Sequence, residues 1–113
     1  MSKDTVFGKI LRKEIPAKVL HEDDRCIAIV DASPKAKLHA LVIPRKAIES
    51  LSDVTEEDAA LVGHCLVVAR AVAEKAGHGK AFRVVSNAGA GAGQTVAHLH
   101  FHVLAGPSLG AFC

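Results

Sequence analysis

Three of the seven histidines in this 113-residue chain stand at alternate positions of one apolar segment, His98-Leu99-His100-Phe101-His102. Side chains alternate faces along an extended strand, so the three imidazoles share one face, about 6.5–7 Å apart along the chain. Leu99, Phe101 and Val103 take the other face, which must meet the core. Burying three imidazoles costs free energy unless each finds a partner. A solvated strand face would also alternate, but rarely with histidine at every polar position. Two chemistries fit this pattern. Three imidazoles could hold a metal ion. Alternatively, one could act as a nucleophile while its neighbours bind an anion.

The residues in front of the segment help to separate the two. The stretch Asn87-Ala88-Gly89-Ala90-Gly91-Ala92-Gly93-Gln94-Thr95 places glycine at every second position. Glycine lets the backbone bring successive N–H groups close to a ligand, which makes an anion-binding nest. Asn87 and Thr95 bracket the stretch with neutral hydrogen-bond donors, and no carboxylate stands in or beside the histidine segment. That set suits phosphate oxygens better than a metal, so no metal is expected. The loop alone is weak. It lacks the Gly-Lys-Ser/Thr of a P-loop, and it leads into a strand rather than the helix of a dinucleotide fingerprint. Without the histidines it would read as a hairpin connection.

The remaining elements must position these groups. Val6 to Ile15 has the spacing of a short amphipathic helix ended by Pro16. Val19–Glu22 reads as extended and Asp23-Asp24 as a turn. Cys26–Val30 and His39–Ile43 are short, apolar and bounded by breakers, as strands are. Thr55 followed by Glu56-Glu57-Asp58 marks the start of the long helix, whose stripe is Leu61, Val62, Cys65, Leu66, Ala69, Val72 and Ala73. Gly77 and Gly79 end it, and His64 and His78 are expected to face solvent. Phe82–Ser86 and Val96–Leu104 complete five strands. One long helix among strands close in sequence indicates an α+β domain with a mainly antiparallel sheet.

Composition narrows the class further. Half the residues are hydrophobic but only four are aromatic, all Phe, so the core is aliphatic. The net charge is +2 with no basic block, which argues against a nucleic-acid face. Cys26, Cys65 and Cys113 are odd in number and widely spaced, and they read as buried thiols. The polar opening residues and the lack of a long apolar run predict neither signal peptide nor membrane span. A cytoplasmic protein is expected, with nuclear access open if the source is eukaryotic.

His98-Leu99-His100-Phe101-His102-Val103-Leu104 resembles the histidine-triad pattern of alternating His and hydrophobic residues. The chain as a whole is similar to the Hint branch of the histidine triad (HIT) superfamily, the histidine triad nucleotide-binding proteins. Phe7-Gly8-Lys9-Ile10 through Lys18, Glu22–Cys26, Asp31-Ala32-Ser33-Pro34, His39–Pro44, Asn87 and Gly93–Val96 extend the likeness over nearly the whole length.

The resemblance implies one HIT domain over residues 1–113, with a five-stranded sheet, one long helix and one short one. It implies that His100 attacks the α-phosphorus of a nucleoside phosphoramidate or acyl nucleotide, and that water then releases a monophosphate such as AMP. Neutral imidazole is a competent nucleophile near pH 7. By the same likeness His102, Asn87 and the Gly93-Gln94-Thr95 backbone hold the phosphate oxygens, and the Thr95 hydroxyl assists the leaving group. His39 and His98 orient the reacting pair. Asp31 holds the ribose, although it also reads as a turn residue before Ser33-Pro34. Phe7, Ile10, Ile29 and Leu41 line the slot for a purine base, although each also reads as core. No cofactor is implied, and a homodimer is. Ala88, Ala90 and Ala92 replace residues often polar in relatives, and the tail from Ala105 to Cys113 lacks a Trp that many eukaryotic relatives carry. A dinucleoside polyphosphate hydrolase and a nucleotide-sensing scaffold dimer are the competing readings.

Overall fold

The computed structural model describes residues 5–107, 109 and 110. Expectations about Cys113 and the end of the tail lie outside the described residues. Strands β1 (Val19–Glu22), β2 (Cys26–Val30), β3 (Leu38–Pro44), β4 (Arg83–Val85) and β5 (Phe101–Ala105) form one five-stranded sheet. Their order is β1-β2-β3-β5-β4, and every pairing is antiparallel. With helices α1 (Val6–Leu11) and α2 (Ala59–Lys75), this is the expected α+β architecture.

Alternation along the central strands divides the core between two faces. Cys26 and Ala28 of β2, Ala40 and Val42 of β3, and Phe101 and Val103 of β5 pack with Val68, Ala69 and Val72 of α2. Alanine at 28 and 40 leaves room for the helix to approach the sheet. Ile27, Ile29, Leu41 and Ile43 point the other way and meet Phe7 and Ile10 of α1. Each buried aliphatic side chain contributes about 1.5–3 kcal/mol relative to exposure. Among the described residues no helix is long and apolar enough to cross a membrane.

The long helix begins with a 3₁₀ turn, Glu56–Asp58. There the Asp58 carboxylate accepts the Thr55 backbone N–H at 3.0 Å and takes the Lys46 ammonium at 2.6 Å. Gly77, at φ +88°, ends the helix in a Schellman turn in which the His78 N–H reaches the Ala73 carbonyl. The buried stripe differs from the expected one. Val68 is buried, whereas Leu66 is 45 % exposed. Nearly every position from 61 to 69 is apolar, so hydrophobicity alone does not fix the phase of the stripe.

Three further expectations are corrected. Helix α1 ends at Leu11, not Ile15, in a second Schellman turn: Glu14 N–H to the Lys9 carbonyl and Lys13 N–H to the Ile10 carbonyl. Lys13 sits at φ +65° where glycine is usual, so the ordinary stop signal is missing. The last strand begins at Phe101, not Val96, so His98 and His100 lie ahead of the ladder. Pro44 has no N–H to offer there, and its carbonyl is taken by the His98 ring at 2.8 Å. His64 does not simply face solvent, because its ring bonds Asp23 across to the β1–β2 hairpin.

Candidate active site

On the α1 face a cavity of about 540 Å³ opens between the helix and the sheet. Phe7 and Ile10 come from α1, Ile29 from β2 and Leu41 from β3; Asp31, Thr95, His100 and His102 complete its wall. Most of this wall is apolar; Thr95, His100 and His102 bring polar groups from the segment leading into and along β5, and Asp31 brings one from the end of β2.

The histidines are joined into two hydrogen-bonded chains. His100 Nδ1 lies 2.7 Å from the carbonyl of His98, an oxygen that only accepts, so Nδ1 carries the proton and Nε2 the lone pair. His98 is fixed in turn by its own ring on the Pro44 carbonyl. The second chain starts at the Lys35 backbone N–H, which donates to His39 Nδ1 at 2.9 Å. His39 therefore carries its proton at Nε2, 2.9 Å from His102 Nδ1 and 3.3 Å from the Asp31 carboxylate. His102 accepts at Nδ1 and is left with an Nε2–H donor. The His100 and His102 rings stand 5.0 Å apart, closer than strand alternation alone would place them.

Burial favours the neutral form of these rings. Burial lowers the pKa of His100, outweighing the hydrogen bond to the His98 carbonyl. Burial also lowers His102, with His100 and His39 adding to the effect. His39 is lowered by burial against the pull of Asp31. Asp31, His39 and His102 bring three potential ligand atoms within 4.8 Å of one another. A cation there would have to displace the bond between the two histidines.

The glycine loop differs from the expected nest. The N–H groups of Ala92, Gly93 and Gln94 turn inward to the carbonyls of Gly89, Ala90 and Gly89. The Gln94 side chain is occupied too: it accepts from Gly89 N–H and donates to the Glu49 and Val96 carbonyls. Gln94 thus braces the loop and does not line the cavity. Gly93, at φ +97°, lies beside the Asn87 amide and turns the chain towards Thr95, which does line it. One Asp31 oxygen accepts the Ser33 N–H at 2.7 Å, as in a turn, and the residue also lines the cavity. The Phe7 and His100 rings meet in a T-shaped arrangement with their centroids 4.8 Å apart. Val6, Ile15, Pro16 and Lys18 also line the cavity, although the sequence reading assigned none of them to the site.

A five-stranded antiparallel sheet whose strand β5, with the segment leading into it, carries His98, His100 and His102 at alternate positions, the last two on a mostly apolar cavity, defines a histidine-triad protein. The chain belongs to the HIT domain family, whose model matches residues 12–109. It is 52% identical over 106 residues to an uncharacterized HIT-like protein of Synechocystis sp., covering 94% of this chain and 93% of that one. Among solved structures it is similar to a HIT family hydrolase from Legionella pneumophila, with TM-score 0.92, 37% identity and coverage of 95% and 96% of the two chains. A histidine triad protein from Clostridium difficile gives TM-score 0.92 and 40% identity, with 99% of each chain covered.

Proposed function

We propose that the chain is a hydrolase of the Hint type, which cleaves nucleoside phosphoramidates or acyl nucleotides at the α-phosphorus and releases a monophosphate such as AMP. The observation that carries this reading is the hydrogen bond from His100 Nδ1 to the His98 carbonyl, which leaves the Nε2 lone pair on a ring that lines the cavity. Structures named HIT family hydrolases, with the same fold, add support.

In the first step His100 Nε2 bonds to phosphorus as the P–N or P–O bond to the leaving group breaks. The Thr95 hydroxyl, at the cavity wall, supplies a proton to the departing atom. His102 Nε2–H and the Thr95 backbone hold the non-bridging oxygens, where charge accumulates. In the second step water attacks phosphorus, one of its protons returns to the Thr95 oxygen, the P–N bond to His100 breaks, and the neutral imidazole is restored. The purine lies against Ile10, Ile29 and Leu41, and Asp31 meets the ribose. The domain spans residues 1–113 and acts as a homodimer through α2, whose Leu66 and Val67 are 45% and 63% exposed in the single chain. A monomeric mass by light scattering would remove the dimer from this scheme.

The test is His100→Ala with an adenosine phosphoramidate. Turnover should fall by roughly 10³-fold or more while AMP binding changes little. Persistent turnover would overturn the nucleophile. Wild type should also prefer the phosphoramidate to a diadenosine polyphosphate, and the opposite preference would reassign the substrate.

A further inference from the structure

The other face of the sheet carries a second cluster that the nucleotide chemistry does not use. His21 of β1, Asp23 and Cys26 of the hairpin, and His64 of α2 each direct one potential ligand atom to a common point, all within 4.8 Å of one another. Both imidazoles address the same carboxylate oxygen. His21 Nε2 and His64 Nε2 each lie 2.7 Å from Asp23 Oδ2, and the Cys26 sulfur lies 3.9 Å from it. The other oxygen, Asp23 Oδ1, is already held by the backbone N–H groups of Arg25 at 2.7 Å and Cys26 at 2.8 Å. The carboxylate is therefore oriented before any ligand arrives, as outer-shell partners orient a metal-binding group.

We propose that His21, Asp23 and His64, with the Cys26 sulfur behind them, form a site for a borderline divalent transition ion such as zinc, separate from the nucleotide cavity. A simple clasp between hairpin and helix needs one histidine on Asp23, and a second converging on the same oxygen is what a ligand shell adds. Two imidazole nitrogens, one carboxylate oxygen and one sulfur match the tetrahedral donor preferences of zinc. The harder ions Mg²⁺ and Ca²⁺ call for oxygen shells that this cluster lacks. Entry is open. The His21 and His64 side chains are 36% and 26% exposed, and His21 also lines a cavity between β1 and α2. Binding exchanges two N–H···O bonds for metal–ligand bonds. Each ring keeps one proton by moving it to Nδ1, and the Cys26 thiol releases one to solvent.

The experiment is a zinc titration of the full chain by calorimetry, with urea unfolding as a parallel readout. Wild type and His102→Ala should each bind one zinc, and zinc should raise the unfolding midpoint of both. His21→Gln and His64→Gln should weaken binding by about a hundredfold or more. Glutamine can still donate to Asp23, so the metal-free unfolding midpoints of these variants should match wild type and show that the clasp is intact. Should His64→Gln fail that control, His21→Gln on the edge strand decides alone. The site is overturned if wild type shows no saturable binding, if both glutamine variants bind as wild type does, or if His102→Ala abolishes binding.

Discussion

Acidification from about pH 7.5 to about pH 5.5 should destabilise the chain through His39, His100 and His102. Burial leads the causes that lower all three pKa values in the folded state. The unfolded chain, with ordinary imidazoles near about pH 6.5, then binds more protons than the folded one as the pH drops. Stability is whole above that value and is lost as the pH falls towards the folded pKa values. Holding one imidazole neutral a full unit below its ordinary pKa costs about 1.4 kcal/mol, so three set an upper limit of about 4 kcal/mol at about pH 5.5. Against a typical stability of about 5–15 kcal/mol this is large. It would lower a urea midpoint by up to about 2 M. Carboxylates of ordinary pKa stay ionised in both states through most of this window and add little slope. The chain has neither Trp nor Tyr, so unfolding is followed by far-UV circular dichroism. His100→Asn removes one titrating group and should reduce the loss by about one third. A midpoint that stays flat or rises as the pH falls would mean that these rings carry charge in the folded state. The Nε2 lone pair assigned to His100 would then be lost with it.

Two further perturbations test separate parts of the structure. His39→Ala removes the donor to His102 Nδ1. It should lower kcat by roughly tenfold to a hundredfold with a smaller change in KM, and an unchanged kcat would show that His102 is oriented without it. Lys13→Gly relieves a left-handed residue at φ +65° and should add about 1 kcal/mol to stability in urea unfolding. The lost ion pair with Glu22 is exposed and weighs little against that gain.

Strands with breakers at both ends were readable from sequence: Val19–Glu22 and Cys26–Val30 fall where hydrophobicity and turn residues put them. The start of β5 was not, because a histidine that caps a carbonyl and a histidine on a strand face have the same one-dimensional pattern. What separates them is Pro44, more than fifty residues earlier in the sequence, whose carbonyl receives the His98 ring. The end of α1 was hidden because Lys13 occupies a glycine conformation. His64 looked like a solvent-facing helix residue because its partner, Asp23, lies on another element. The glycine loop misled in a different way. Its composition allows a nest, but the Gln94 side chain and the loop's own carbonyls take the N–H groups of Gly89, Ala92, Gly93 and Gln94. The cavity-lining residues Phe7, Ile10, Ile29 and Leu41 were named correctly as apolar, yet only the packing of α1 against β2 and β3 gathers them around one space.

The segment from Val96 to His100 runs ahead of β5 and is fastened by separate tethers rather than by a ladder. These are the Gln94 amide on the Val96 carbonyl, the Leu99 N–H on the Ile48 carbonyl, the His98 ring on Pro44 and the Ser86 hydroxyl on the His100 carbonyl. Such a segment can open locally while the sheet stays shut, so its protection against amide exchange need not reach that of the global fold. It also ties two selective pressures to one residue. His98 holds the backbone whose carbonyl fixes the His100 tautomer, so a change there loosens the strand entry and the nucleophile together. Histidine at that position would persist even in a descendant that had abandoned turnover, and its presence is a weaker sign of catalysis than that of His100.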